Sequence, residues 1–382
     1  MKILQMVHTL EPSVGGVAPA LLALSRGLSQ RGHSIDIVTL DEPHSCHTKE
    51  FCVHPLGPGL TSYRYSSKLL PWLRKQGQSY DRVIVNGLWQ YVGLAAWRRF
   101  GGSPIPYYVF PHGMLDPWFK RAFPLKHLKK WLYWPWGDYR ILRDAAAVIF
   151  TSEEERVQAS KSFWLYKCRE RVSPLGLEAP SRIPEGAKQA FLDRYPQLKN
   201  IKVLLFLGRL HPKKGCDLLI DAMARVSQTS VSLVLAGPDQ VGWQRRLQQQ
   251  AASLGLTQRI IFTGMLEGDM KQGALAAADA LVLPSHQENF GMSVVEALAA
   301  GLPVLISDRI NIWREIDADR AGYVESDDFP GTTRLIERWM QTPPEQREAM
   351  RRNARECFSR RFTLDRAVDS LLQVLNEVNA PL

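Results

Sequence analysis

The chain has 382 residues, 45% hydrophobic and 23% charged, which suits two globular domains and excludes a disordered, collagen-like or fibrous protein. Its formal net charge of +10 is uneven: residues 1–176 hold 23 Lys/Arg against 13 Asp/Glu, while the remainder holds 25 of each. That asymmetry points the first half towards an anionic partner, whether membrane, nucleic acid or a phosphorylated acceptor.

The opening stretch, Met1 to His8, is too short for a signal peptide and precedes no small-residue cleavage site, so it reads as a first buried strand. No run approaches the 18 or so apolar residues of a spanning helix, and a cytoplasmic protein is expected. Strands are predicted at 2–8, 34–40, 82–86, 106–110 and 146–151, with amphipathic stretches between them. One such stretch, 17–31, carries Leu21, Leu22, Leu24 and Leu28 at helical spacing. Alternation of this kind means a parallel sheet with right-handed crossovers.

Residues 174–200 lose the pattern and carry Pro174, Gly176, Pro180, Pro184, Gly186 and Pro196, which reads as a linker. Alternation resumes with Val203 to Gly208, then strands at 231–236, 260–263, 280–284 and 303–306. Two doubly wound α/β domains are therefore expected, over 1–176 and 177–361. The tail, 344–379, reads as helical throughout, and its last part, about 362–382, is expected to pack back on the first domain.

The five cysteines (Cys46, Cys52, Cys168, Cys216 and Cys357) are scattered and form no C-x-x-C. Two of them lie among His44, His47 and His54, but the spacing matches no common zinc pattern, so this cluster reads as structural.

Chemistry concentrates in the second half. Gly208-Arg209-Leu210-His211-Pro212-Lys213-Lys214-Gly215 follows a buried-looking strand and precedes a helix over 216–225, the place where ligands bind in open α/β sheets. Arg209 offers a bidentate fork and Lys214 a point charge, a pair suited to a diphosphate. Taken alone, the loop is equally an ordinary solvated turn. The second feature, Glu288-Asn289-Phe290-Gly291-Met292-Ser293-Val294-Val295-Glu296, follows strand 280–284 and opens a helix that stops at Gly301, with Pro303 beyond. Gly291 allows close backbone approach, and a helix N-terminus presents unpaired N–H groups and partial positive charge to phosphate. Glu288 and Glu296, the latter placed in the first helical turn, are carboxylates able to accept hydrogen bonds from vicinal hydroxyls. Ala236-Gly237-Pro238-Asp239 and Phe262-Thr263-Gly264-Met265-Leu266 are further turns at strand ends.

The E-x7-E motif, the G-R-L-x-x-K-K-G loop and their order resemble the retaining group 1 (family 4) glycosyltransferases. The likeness is specific from about Lys202 to Gly322 and looser before it. It implies a GT-B fold, in which two Rossmann-like domains face a central cleft, and transfer of a sugar from a UDP- or GDP-linked donor. By this resemblance Arg209 and Lys214 bind the donor diphosphate, Glu288 holds hydroxyls of the transferred sugar, and Glu296 holds the ribose. Backbone amides of Phe290, Gly291 and Met292 meet phosphate or sugar, and Leu266 lies where the family contacts the base. Gly15-Gly16-Val17 resembles the family's glycine loop, although alone it is a plain tight turn. His112, in Phe110-Pro111-His112-Gly113-Met114-Leu115, matches the family's cleft histidine. Asn289 departs from the usual Pro or Gly.

The resemblance further implies reaction on one face of the sugar and a glycan or lipid-linked acceptor in surface polysaccharide assembly. No metal and no cofactor are expected, since Arg209 and Lys214 supply positive charge. Asp317-Ala318-Asp319 resembles a metal-binding D-x-D only superficially, in a stretch that reads as loop. A nucleotide-sugar epimerase of the same fold and a non-catalytic sugar- or nucleic-acid-binding protein are the rival readings. No RNA-binding signature is present, and nucleic acid is not expected as a partner.

Residues 118–143 combine seven Lys/Arg and one Asp with eight Trp, Tyr or Phe. Basic residues beside amphipathic aromatics suit an anionic membrane surface, and Pro135 limits any helix there, so a short interfacial helix and a loop are expected. The alternative is that the tryptophans are core and the charges merely solvated. Docking through this segment would place the protein peripherally on the inner face of the plasma membrane.

Overall fold

Seven short runs form the first sheet of the computed structural model, which describes residues 1–11, 14–44, 48–178, 184–226 and 230–377. They are β1 (Lys2–Val7), β2 (Ser34–Thr39), β3 (Cys52–Pro55), β4 (Arg82–Asn86), β5 (Tyr107–Phe110), β6 (Ala147–Phe150) and β7 (Glu170–Val172), ordered β3-β2-β1-β4-β5-β6-β7, all parallel. Every residue of β4, β5 and β6 is buried, as expected of strands covered by helices on both faces. The helix Val17–Gln30 buries Leu21, Leu24 and Leu28, three residues at helical spacing.

The second sheet contains β8 (Lys202–Leu207), β9 (Val231–Ala236), β10 (Ile260–Gly264), β11 (Ala280–Leu283), β12 (Val304–Ser307) and β13 (Gly322–Glu325), ordered β10-β9-β8-β11-β12-β13 and again parallel. The two doubly wound sheets expected from the alternation are both present. Two compact units result, Met1–Glu178 with Thr363–Leu382, and Ala179–Phe362.

The tail is not one helix. Pro344–Cys357 and Leu364–Glu377 are separated by a π-helical turn, Phe358–Phe362, and by Thr363, whose extended backbone pairs with Leu177. Phe358 and Phe362 are buried in the second unit, while Leu364 N–H donates to the Leu177 carbonyl at 2.9 Å in the first. The helical ladder breaks where the chain changes units. Leu364–Glu377 then packs on Val17–Gln30 at Gly27, where an added Cβ would overlap Val368. The buried Arg82 guanidinium and the Tyr108 hydroxyl both donate to the Leu375 carbonyl, at 3.1 and 3.2 Å. Overpacking at Gly27 would cost about 1–3 kcal/mol.

Part of the expected linker is also structured. Ala187–Arg194 is a helix that buries Ala187 and Phe191 against the helix Gly268–Ala277. Two apolar contacts in two turns give too weak a periodicity to read beside so many prolines.

Candidate functional site

The strand order of the second sheet reverses between β8 and β11. At such a switch point the loops leaving neighbouring strands diverge and open a crevice outside their carboxyl ends. The loop after β8 carries Arg209 to Gly215, and the loop after β11 carries Ser285 to Gly291. Backbone contacts lock the two together. His286 N–H donates to the Lys213 carbonyl at 2.8 Å, and Gly215, at φ +68°, lies so close to the Pro284 carbonyl that a Cβ would collide with it. Glycine is required there on both counts.

Lys214 Nζ donates to Glu288 Oε2, so the two motif loops meet through opposite charges that are largely withdrawn from solvent. Burial, with Lys213 and Arg209 beside it, pulls the Lys214 ammonium below the usual lysine range. Arg209 is exposed, with Nη1 donating to Gln240 Oε1 at 3.0 Å. Glu288 is fixed through its backbone: its N–H donates to the Arg309 carbonyl at 3.0 Å, and its carbonyl accepts from Asn311 N–H at 3.1 Å.

Gly291 caps the helix Met292–Ala299 at φ +72°, so the chain turns sharply from Phe290, which is buried, into the helix with its first amides unpaired by side chains. Glu296 is the fifth helical residue, one place beyond the first turn in which the sequence put it. Its Oε1 accepts from Lys271 Nζ at 2.7 Å. Lys271 belongs to the helix Gly268–Ala277, which begins two residues after Leu266, so one short segment carries both the partly buried Leu266 and the lysine that orients Glu296.

In the first unit, Gly15 and Gly16 follow β1, and a Cβ on either would meet no atom within 4 Å; Gly15 at φ +145° favours glycine for its backbone alone. His112 follows β5 in a left-handed conformation, φ +50°, that only surrounding contacts make tolerable. Its ring stacks on Phe110, and Nε2 lies 3.0 Å from Asn86 Oδ1. Because Asn86 Nδ2 already donates to Gln5 Oε1 at 2.8 Å, the Asn86 oxygen accepts, and His112 Nε2 carries the hydrogen. Burial pushes the imidazole down to about 4, leaving Nδ1 an unprotonated acceptor at neutral pH.

Asn86 and Glu155 were not singled out in the sequence. Glu155 Oε1 accepts from Gly113 N–H at 2.5 Å and Oε2 from Thr151 N–H at 2.6 Å, which pins the His112 loop. Ser152 and Glu155 have the S-x-x-E spacing of a capping box, and Ser152 does cap the helix Glu153–Ala159, but the glutamate reaches away to the loop instead.

Asp317 and Ala318 end the helix Trp313–Ala318 rather than lying in a loop. The Asp319 carboxylate is engaged by Arg360 and Arg361, which hold it well below the usual range, so it anchors the C-terminal helical turn. Cys46 and His47 lie outside the described residues.

Segment 118–143 folds as helices Trp118–Ala122, Pro124–Tyr133 and Asp138–Asp144. Leu125, Leu128 and Leu132, spaced i, i+3 and i+7, share one helix face and are 78, 53 and 62% exposed; Trp136 is 68% exposed. Trp134, by contrast, is core, stacked on Phe163 at 4.2 Å. Lys130 lies over the Trp89 ring at 4.3 Å, and burial pushes it down to about 8. Among the described residues no helix is long and apolar enough to cross a membrane.

Residues 189–357 match the family described as glycosyl transferases group 1, and residues 15–176 match the glycosyl transferase 4-like domain. The D-rhamnosyltransferase WbpZ of Pseudomonas aeruginosa is 32% identical over 377 residues, covering 95% of this chain and 92% of its own. The chain belongs to the group 1 glycosyltransferases. The enzyme spans only 39% of the length of the D-inositol 3-phosphate glycosyltransferase of Salinispora tropica, 32% identical over 188 residues, or 47% of this chain. In fold the glycosyltransferase is similar to sucrose-phosphate synthase from Thermosynechococcus elongatus (TM-score 0.79, 21% identity, 99% and 98% of the two chains). It is equally similar to Anabaena HepE, solved with UDP and glucose (TM-score 0.79, 20% identity, 99% and 100%). These likenesses place the glycosyltransferase among GT-B folds.

Proposed function

We propose that this glycosyltransferase moves a sugar, with retention of anomeric configuration, from a UDP- or GDP-linked donor to a glycan or lipid-linked acceptor in surface polysaccharide assembly. The contact between Lys214 and Glu288 carries the reading. It sets a cation for the diphosphate beside a carboxylate for sugar hydroxyls, at the switch point of a Rossmann-like sheet. The Anabaena protein solved with UDP and glucose supports the donor class, and the D-rhamnosyltransferase relative supports sugar transfer.

In this reading donor phosphate draws Lys214 away from Glu288, and the freed carboxylate accepts hydrogen bonds from the transferred sugar. Arg209, Lys214 and the amides of Phe290, Gly291 and Met292 stabilise charge on the departing diphosphate as the anomeric carbon becomes oxocarbenium-like. The leaving phosphate oxygen takes the proton of the acceptor hydroxyl on the same face, which preserves configuration. Glu296, aimed by Lys271, receives the ribose, and Leu266 packs on the base. In the first unit, Gly15 and Gly16 are assigned to diphosphate approach and neutral His112 to the reacting sugar. With Arg209 and Lys214 as the cations, transfer requires no divalent metal.

We further propose that Leu125, Leu128, Leu132 and Trp136, flanked by Lys126 and Lys129, dock on an anionic membrane surface. An exposed apolar stripe bordered by lysines supports this; Trp134 and Lys130 are excluded as internal. Sedimentation with anionic liposomes should fall with salt and on Lys126→Glu with Lys129→Glu; equal binding to neutral vesicles, or none, overturns it. The function itself is tested by a panel of nucleotide sugars assayed in EDTA for released nucleoside diphosphate and glycosylated product. No release from any donor overturns it.

A further inference from the structure

On the edge of the first sheet, β2 and β3 pair in parallel with Asp36 opposite Cys52 and Val38 opposite His54. Residues i and i+2 of a strand share a face, so Cys52 and His54 point the same way. Cys52 Sγ lies 3.6 Å from His54 Nε2, which lies 3.8 Å from Asp36 Oδ2, and all three ligand atoms fall within 4.8 Å of one another. Bonds of about 2.0 Å to nitrogen and oxygen and about 2.3 Å to sulfur, at tetrahedral angles, separate ligand atoms by roughly 3.3–3.6 Å. The Cys52–His54 and His54–Asp36 pairs lie within a few tenths of an ångström of that spacing, and the Asp36–Cys52 pair, within 4.8 Å, closes by side-chain rotation.

We propose that Asp36, Cys52 and His54 form a binding site for a zinc-class divalent cation, with the fourth position open to water. Mixed sulfur, nitrogen and oxygen donors in this geometry select zinc or cobalt over magnesium or calcium. Outer contacts are already in place: the Tyr80 hydroxyl donates to Asp36 Oδ2 at 2.6 Å, and the His54 ring packs on Trp72 at 4.7 Å. Such partners fix ligand orientation in metal sites. Lys2 Nζ, 3.4 Å from Asp36 Oδ2, is the competing cation; its side chain is 40% exposed and is free to swing into solvent when the metal arrives. This site owes nothing to the donor-binding loops, and spacing in the sequence hid it because Asp36 comes from the neighbouring strand.

The test is a cobalt titration of the full-length, chelator-stripped enzyme. One equivalent of Co²⁺ should produce a near-ultraviolet thiolate-to-cobalt band with visible bands of tetrahedral cobalt, and Zn²⁺ should abolish both. The near-ultraviolet band should vanish in Cys52→Ser, a safe substitution because Cys52 is exposed. Tyr80→Phe should weaken binding about tenfold, and Lys2→Met should tighten it. A wild-type enzyme without the bands, or bands unchanged in Cys52→Ser, overturns the site.

Discussion

Lys214 and Glu288 touch across 74 residues of sequence, one from the loop after β8 and the other from the loop after β11. Removing either therefore acts on both. Glu288→Ala should lower kcat by about 10²–10³, the usual effect of losing one group that stabilises the transition state, while leaving the fold unchanged. Steady-state kinetics beside circular dichroism check this; near-normal turnover in a folded variant contradicts the assignment.

Arg209→Ala and Lys214→Ala should each impair donor use, and their combined loss should fall short of the product of the two, since both serve one diphosphate. Arg209→Lys should remain impaired because a point charge cannot replace a planar fork. A double-mutant cycle on kcat/KM measures the coupling. Independent effects would separate the two side chains.

Lys271 should govern donor binding through Glu296 rather than chemistry. Lys271→Met is expected to raise donor KM several-fold with little change in kcat, and to narrow the preference for ribo- over 2′-deoxyribonucleotides. Lys271→Arg should recover most of the loss. Competition by the two nucleoside diphosphates reads it directly, and unchanged discrimination would detach Lys271 from the site.

The His112 ring has a pH signature. Its folded value, about 4, lies below the ordinary 6.5, so between those values the unfolded chain binds more protons. Its contribution to stability is complete above pH 6.5 and is lost as pH falls towards 4, by at most about 3 kcal/mol. His112→Asn, which tolerates the left-handed backbone, should flatten denaturation midpoints across that window. An unaltered pH slope would mean that the ring is not buried neutral.

Much of the fold was legible because the interiors of β4, β5, β6, β8 and β9 are apolar apart from Ser232 and are bounded by glycine, proline or polar residues, and a doubly buried parallel strand carries that pattern. The short edge strands β7 and β13 went unread: Glu170–Val172 and Gly322–Glu325 have too few apolar residues to stand out from turns. The tail misled for a related reason, since helical periodicity continues on both sides of Thr363 and only the pairing with Leu177 shows the break. Within the candidate site, local motifs pointed to Arg209, Lys214, Glu288 and Glu296. Partners joined through space did not announce themselves: Lys271 on Glu296, Asn86 on His112 and Glu155 on Gly113 each link separate elements. The anchoring role of Asp319 went unread, because its arginine partners come from a turn 41 and 42 residues away.

The central claim, donor transfer with retention at the loops after β8 and β11, is met most directly by the anomeric configuration of the product. Donors with an α-linked sugar should be screened first for release of nucleoside diphosphate. The configuration of the new glycosidic bond in the product of the active donor should then be read by NMR. The account predicts an α-linked product whose formation is lost in Glu288→Ala. A β-linked product, or an α-linked product formed equally well by Glu288→Ala, would contradict it.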